Sequence, residues 1–84
     1  MASQPEKDEF EIYVRKQDNQ VFSILVKKDM TLEELTKKIK NQEDIEPTTY
    51  VLAFKKPLLE PKETLQSYGI KKPVTLIMIA SFSG

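Results

Sequence analysis

Eighty-four residues provide surface for one hydrophobic core and not for a second, which excludes a multi-domain enzyme. With 39% hydrophobic and 31% charged residues the chain has the composition of an ordinary globular domain, and thirteen basic against thirteen acidic side chains leave no net charge to draw it to nucleic acid or an anionic bilayer. Neither cysteine nor histidine occurs, so disulfides, thiolate metal sites, a cysteine nucleophile, the usual general base and the usual zinc ligand fall away together.

Residues 1–9, Met1 to Glu9, have no apolar periodicity and contain Pro5. They bury nothing that would offset the entropy of ordering them, and a disordered tail is expected. They lack the basic-then-apolar layout of a secretory signal, and no apolar run approaches the roughly 18 residues of a membrane span. A cytoplasmic or nuclear location is the expectation. From Phe10 the pattern alternates: Phe10, Ile12 and Val14 share one face, Glu11, Tyr13 and Arg15 the other. The polar run Lys16 to Gln20 supplies Asp18 and Asn19 for a turn, and Phe22, Ile24 and Val26 mark a second strand. Two such runs read as an antiparallel hairpin.

Thr31-Leu32-Glu33-Glu34 fits a capping box. Leu32, Leu35 and Ile39 then recur at helical spacing, with Glu33, Lys37, Lys38 and Lys40 on the opposite side. Acids in the first turn and lysines later suit the helix dipole, and Pro47 limits the run; the helix is placed over Leu32 to Glu43. Tyr50 to Phe54 is a third strand, closed by Lys55-Lys56-Pro57, and Leu58-Leu59 is expected as a very short fourth. Leu65 to Tyr68 suits one helical turn, followed by Gly69, which permits positive φ. The last strand, Val74 to Ala80, is apolar on both faces.

Strand, strand, helix, strand, short strand, strand within about 70 residues gives an α+β class, a sheet with one face covered by the helix. Here the chain resembles the ubiquitin-like family, without a gap from Phe10 to Gly84. The resemblance is carried by Ile12-Tyr13-Val14, Thr31-Leu32-Glu33, Lys38-Ile39, Ile45-Glu46-Pro47, Leu59-Glu60, Thr64-Leu65 and Tyr68-Gly69-Ile70. It implies the β-grasp fold, a mixed β-sheet packed on one main α-helix, over residues 10–80, with 81–84 as a flexible tail. The core it implies is Ile12, Val14, Phe22, Ile24, Val26, Leu32, Leu35, Ile39, Leu52, Leu59, Leu65, Ile70, Leu76 and Met78. Asp44 stands where the family usually has the glycine that ends the helix; aspartate tolerates that left-handed conformation at some cost.

Catalysis needs a nucleophile beside a base, or two carboxylates in separated environments. The pairs Glu33-Glu34 and Glu43-Asp44 read as solvated helix faces, and the double lysines are scattered among acids. There is no glycine-rich loop and no metal-ligand spacing. A non-enzymatic protein without cofactor or metal is therefore expected, one that binds other proteins.

The binding surface comes from the two-sided strand. If Leu76 and Met78 face the helix, Ile77 and Ile79 emerge on the open face of the sheet. In the third strand Leu52 and Phe54 point inward, Val51 and Ala53 outward. The resemblance makes these strands neighbours and gives the family's docking patch to Gln17, Ala53, Ile77 and Ile79, to which Val51 adds. The bland alternative is that Phe82 and the tail cover Ile77 and Ile79, but a small domain seldom exposes adjacent branched apolar residues without a use. The expected partners are ubiquitin-pathway proteins or proteasomal receptors, with no nucleic acid or membrane, and the domain itself is expected to be a monomer. An alternative reading is a covalently conjugated modifier attached through a C-terminal glycine, Gly84. The ending Ala80-Ser81-Phe82-Ser83-Gly84 has one glycine where such modifiers carry two.

Overall fold

Alternation along residues 9–15 and 21–27 produces the hairpin. In the computed structural model of the chain, which describes residues 9–81, β1 (Glu9–Arg15) and β2 (Val21–Lys27) pair antiparallel from Glu9–Lys27 to Arg15–Val21. The strand thus begins at Glu9, one residue ahead of the expected start. The connecting turn uses Asn19 at φ 68°, and the Asp18 carboxylate accepts from the Gln20 N–H at 3.0 Å.

The helix α1 spans Leu32–Glu43, as its caps dictate. The Glu34 N–H donates to Thr31 Oγ1 at 3.2 Å, and the Thr31 N–H donates to the Glu34 carboxylate at 2.9 Å. At the other end Asp44 adopts the left-handed conformation at φ 58°, and its N–H donates to the Lys40 carbonyl. Lys40 also bridges Asp44 at 2.8 Å and Glu46 at 2.6 Å, so a charge clamp offsets the missing glycine. The helix buries Leu32, Leu35 and Ile39 against the sheet.

After a short 3-10 turn, Pro47–Thr49, come β3 (Tyr50–Phe54), β4 (Lys56–Pro57), a second 3-10 turn (Gln66–Tyr68) and β5 (Thr75–Ala80). The sheet order is β2-β1-β5-β3-β4, with β1 and β5 parallel at its centre and the other pairs antiparallel. Parallel neighbours require a crossover, which α1 and the loops on its side of the sheet supply. The result is the expected mixed sheet on one main helix. No helix among the described residues is long and apolar enough to cross a membrane.

Further details differ from the expectation: the last strand begins at Thr75, not Val74, and the second 3-10 turn at Gln66, not Leu65. The fourth strand is Lys56–Pro57, not Leu58–Leu59. Lys55 at φ 68° reverses the chain at once, so Lys56 and Pro57 pair with Phe54 and Ala53, and the proline is tolerated because β4 is an edge. Consequently Leu58 is the core residue, 3% exposed with its N–H on the Leu52 carbonyl, while Leu59, expected in the core, is 68% exposed. Phe22, expected in the core, is only partly buried on the edge strand, and Tyr50 joins the core at 6% exposure.

Candidate docking surface

Register makes the surface. Between β3 and β5, Leu52 pairs with Met78 and Tyr50 with Ala80, while Val51 pairs with Ile79 and Ala53 with Ile77. Directly opposed residues share a face, so the first two pairs lie on the helix side and the second two on the open side. The exposures follow: Leu76 is 0% and Met78 7% exposed, against 47% for Ile77 and 45% for Ile79. Val51 and Ala53 are half-buried. Four apolar side chains therefore form a two-by-two block on the water side of the sheet. Chemically it can bury apolar surface from a partner.

The block has neighbours that alternation reveals only once the strand order is known. Arg15 of β1 lies beside Ile77, and Tyr13, 40% exposed, lies beside Thr75. Across β1, Arg15 pairs with Val21, 53% exposed; on the other side Ala53 pairs with Pro57. One row thus runs Val21, Arg15, Ile77, Ala53, Pro57 across five strands. Tyr13, Arg15 and Val21 were not among the residues expected in the site. Their outward alternation is visible in the sequence, but the parallel pairing of β1 with β5 is not.

Gln17 is placed otherwise. It sits exposed in the β1–β2 turn and, with Ile45 and the helix-side residues Met78 and Ala80, lines a depression of about 410 Å³. The structure brings Val51, Ala53, Ile77 and Ile79 together on the open face, while Gln17, in the turn, borders the depression beside Ile45, Met78 and Ala80. Gly84 lies outside the described residues. Among the described residues no group of three or more His, Cys, Asp or Glu is placed to hold a metal ion.

Comparison with known proteins agrees with the architecture. A family model described as "Ubiquitin-2 like Rad60 SUMO-like" matches residues 10–79. A protein designed de novo on the basis of ubiquitin is 33% identical, with 93% of this chain and 95% of that chain covered and a TM-score of 0.79. The C-terminal ubiquitin-like domain of the human 2'-5'-oligoadenylate synthetase-like protein is 18% identical, with 98% and 94% covered and a TM-score of 0.84, a likeness of fold. Among curated proteins no sequence match is found.

Proposed function

The chain belongs to the ubiquitin-like family described as Ubiquitin-2 like Rad60 SUMO-like and has the β-grasp fold; from that premise we propose that it is a non-enzymatic interaction module that docks through Val51, Ala53, Ile77 and Ile79 onto ubiquitin-pathway or proteasomal receptors. Such receptors place its work in the cytoplasm or nucleus. The observation that carries the reading is the exposure of Ile77 and Ile79 beside half-buried Val51 and Ala53. Water gains when a partner covers adjacent branched side chains of this kind, and each isoleucine contributes roughly 1 to 2 kcal/mol, about tenfold in affinity. The absence of histidine and cysteine supports the non-catalytic part.

Serine substitution tests it. Ile77→Ser and Ile79→Ser are expected to weaken receptor binding about tenfold each while unfolding stays cooperative. Leu76→Ser and Met78→Ser, one position away in the buried row, are expected to damage folding instead, because each puts a hydroxyl and a void into the core. Undiminished binding by both isoleucine variants would contradict the proposal, and an exchange of the two effects would contradict the register.

A further inference from the structure

The outer face of β1 carries a charge order that its own sheet leaves unanswered. Glu11, Tyr13 and Arg15 alternate onto that face, and β2 sets Leu25, Ser23 and Val21 beside them. On the other flank β5 sets Thr75 beside Tyr13 and Ile77 beside Arg15. Neither Glu11 nor Arg15 makes an ion pair among the described residues, and their lateral partners on β2 are apolar. The two charges lie two residues to either side of Tyr13, each about 7 Å from it along the strand.

This order is self-complementary under two-fold symmetry. Consider two sheets stacked face to face, with an axis between them that runs across the strands and passes over Tyr13. Arg15 of one copy then meets Glu11 of the other, twice, and the two tyrosines meet at the axis. On one flank Val21 falls on the second copy's Leu25. On the other, Ile77 falls on the exposed Pro73, two residues before Thr75. We infer that this face pairs with a second copy of the chain. The rotation of about 30° between packed sheets leaves the central pairs within reach. A net charge of zero sets up no repulsion between copies.

The competing route to self-association, strand pairing at a sheet edge, is obstructed. On the free side of β2 the Ser23 carbonyl accepts from Gln42 Nε2 at 2.7 Å and the Leu25 carbonyl accepts from Lys38 Nζ, both side chains reaching over from α1. At the opposite edge β4 is two residues long and one of them is proline. The face is open where the edges are closed.

The contact is small. About seven side chains per copy fall well short of the roughly 20–30 residues a side of a standard stable interface, so a dissociation constant on the order of 100 μM to 1 mM is expected. This inference goes beyond the receptor reading and shares only Ile77 with it, so dilute, monomeric protein still presents the whole receptor block.

Sedimentation equilibrium of the full chain from about 20 μM to 2 mM at low ionic strength tests it, since surface ion pairs are felt most there. The average mass is expected to rise toward that of a dimer. Arg15→Glu alone and Glu11→Arg alone are each expected to stay monomeric across the range. The double variant Glu11→Arg/Arg15→Glu is expected to associate as the parent does, because the swap restores both pairs. A parent that remains monomeric at 2 mM overturns the inference, as do single variants that associate normally or a double variant that does not recover. Circular dichroism of each variant checks that these exposed substitutions leave the fold intact. Receptor binding measured at dilute concentration stands or falls independently of this result.

Discussion

Tyr50 pairs opposite Ala80 on the helix side of the sheet, 6% exposed, and its hydroxyl has no hydrogen-bond partner among the described residues. An unpaired buried donor costs its desolvation and gains nothing in return. Burial also holds the proton on, so the phenol's pKa is pushed up to about 12. In the unfolded chain it ionises near 10. The stability this represents is present below about pH 10 and lost as the pH rises toward 12. Tyr50→Phe is therefore expected to keep or raise stability at neutral pH, by up to about 1 kcal/mol, and to flatten the alkaline loss. Denaturant midpoints between pH 8 and 12 check both; a loss above about 1 kcal/mol at neutral pH would show that the hydroxyl is satisfied after all. The Leu58–Leu59 exchange belongs to the same scale. Two adjacent leucines look alike in sequence, and what separates them is the reversal at Lys55, a lysine in the left-handed region. Nothing in the type of that residue announces it, since glycine or asparagine is the usual signal.

At the scale of the element, α1 is the most legible part of the chain because its signals are local: Thr31 and Glu34 at one end, Asp44 and Pro47 at the other, and a three-residue apolar stripe between. Leu35→Ala and Ile39→Ala, both 0% exposed, are expected to cost roughly 2 to 5 kcal/mol each by opening cavities under that stripe. Losses below about 0.5 kcal/mol in chemical denaturation would mean the helix does not pack as described. The caps add an acid dependence. Hydrogen bonds from the Thr31 backbone and hydroxyl hold Glu34 below the usual glutamate range, and the Lys40 ammonium does the same for Asp44. Carboxylates lowered in the folded state contribute stability that is present above their ordinary values and lost as the pH falls through the lowered ones. Glu34→Gln keeps the capping geometry, since glutamine can accept the same bond, but removes the titration. Its stability is expected to decline less steeply than the parent's below about pH 4.5, the ordinary glutamate value; identical acid limbs would contradict this role. The short elements are less legible, because β4 is made by a turn conformation and not by a hydrophobic pattern.

Over the whole molecule, alternation says which way a side chain points and not which strand lies beside it. The facing of Ile77 and Ile79 opposite to Leu76 and Met78 follows from period two alone. That Val51 and Ala53 lie next to them came from family resemblance, and the antiparallel register confirms it. The parallel neighbourhood of β1 and β5 joins residues more than 60 positions apart, which is why Tyr13, Arg15 and Val21 stood outside the expected surface. Gln17 was grouped with the block by resemblance; in the structure it lines a depression together with Ile45, Met78 and Ala80. The outer face therefore has two parts, an apolar block on β3 and β5, the proposed receptor surface, and a charge-ordered strip on β1 and β2, the proposed self-pairing surface.

The claim that the β3–β5 block is the receptor site is tested most directly by an amide-shift titration of the dilute, isotope-labelled chain with a proteasomal ubiquitin receptor. The account predicts that shifts cluster on Val51, Ala53, Ile77 and Ile79 and fade into α1. A cluster on Lys27, Lys28 or α1, or no shifts at all at saturating receptor, would contradict it.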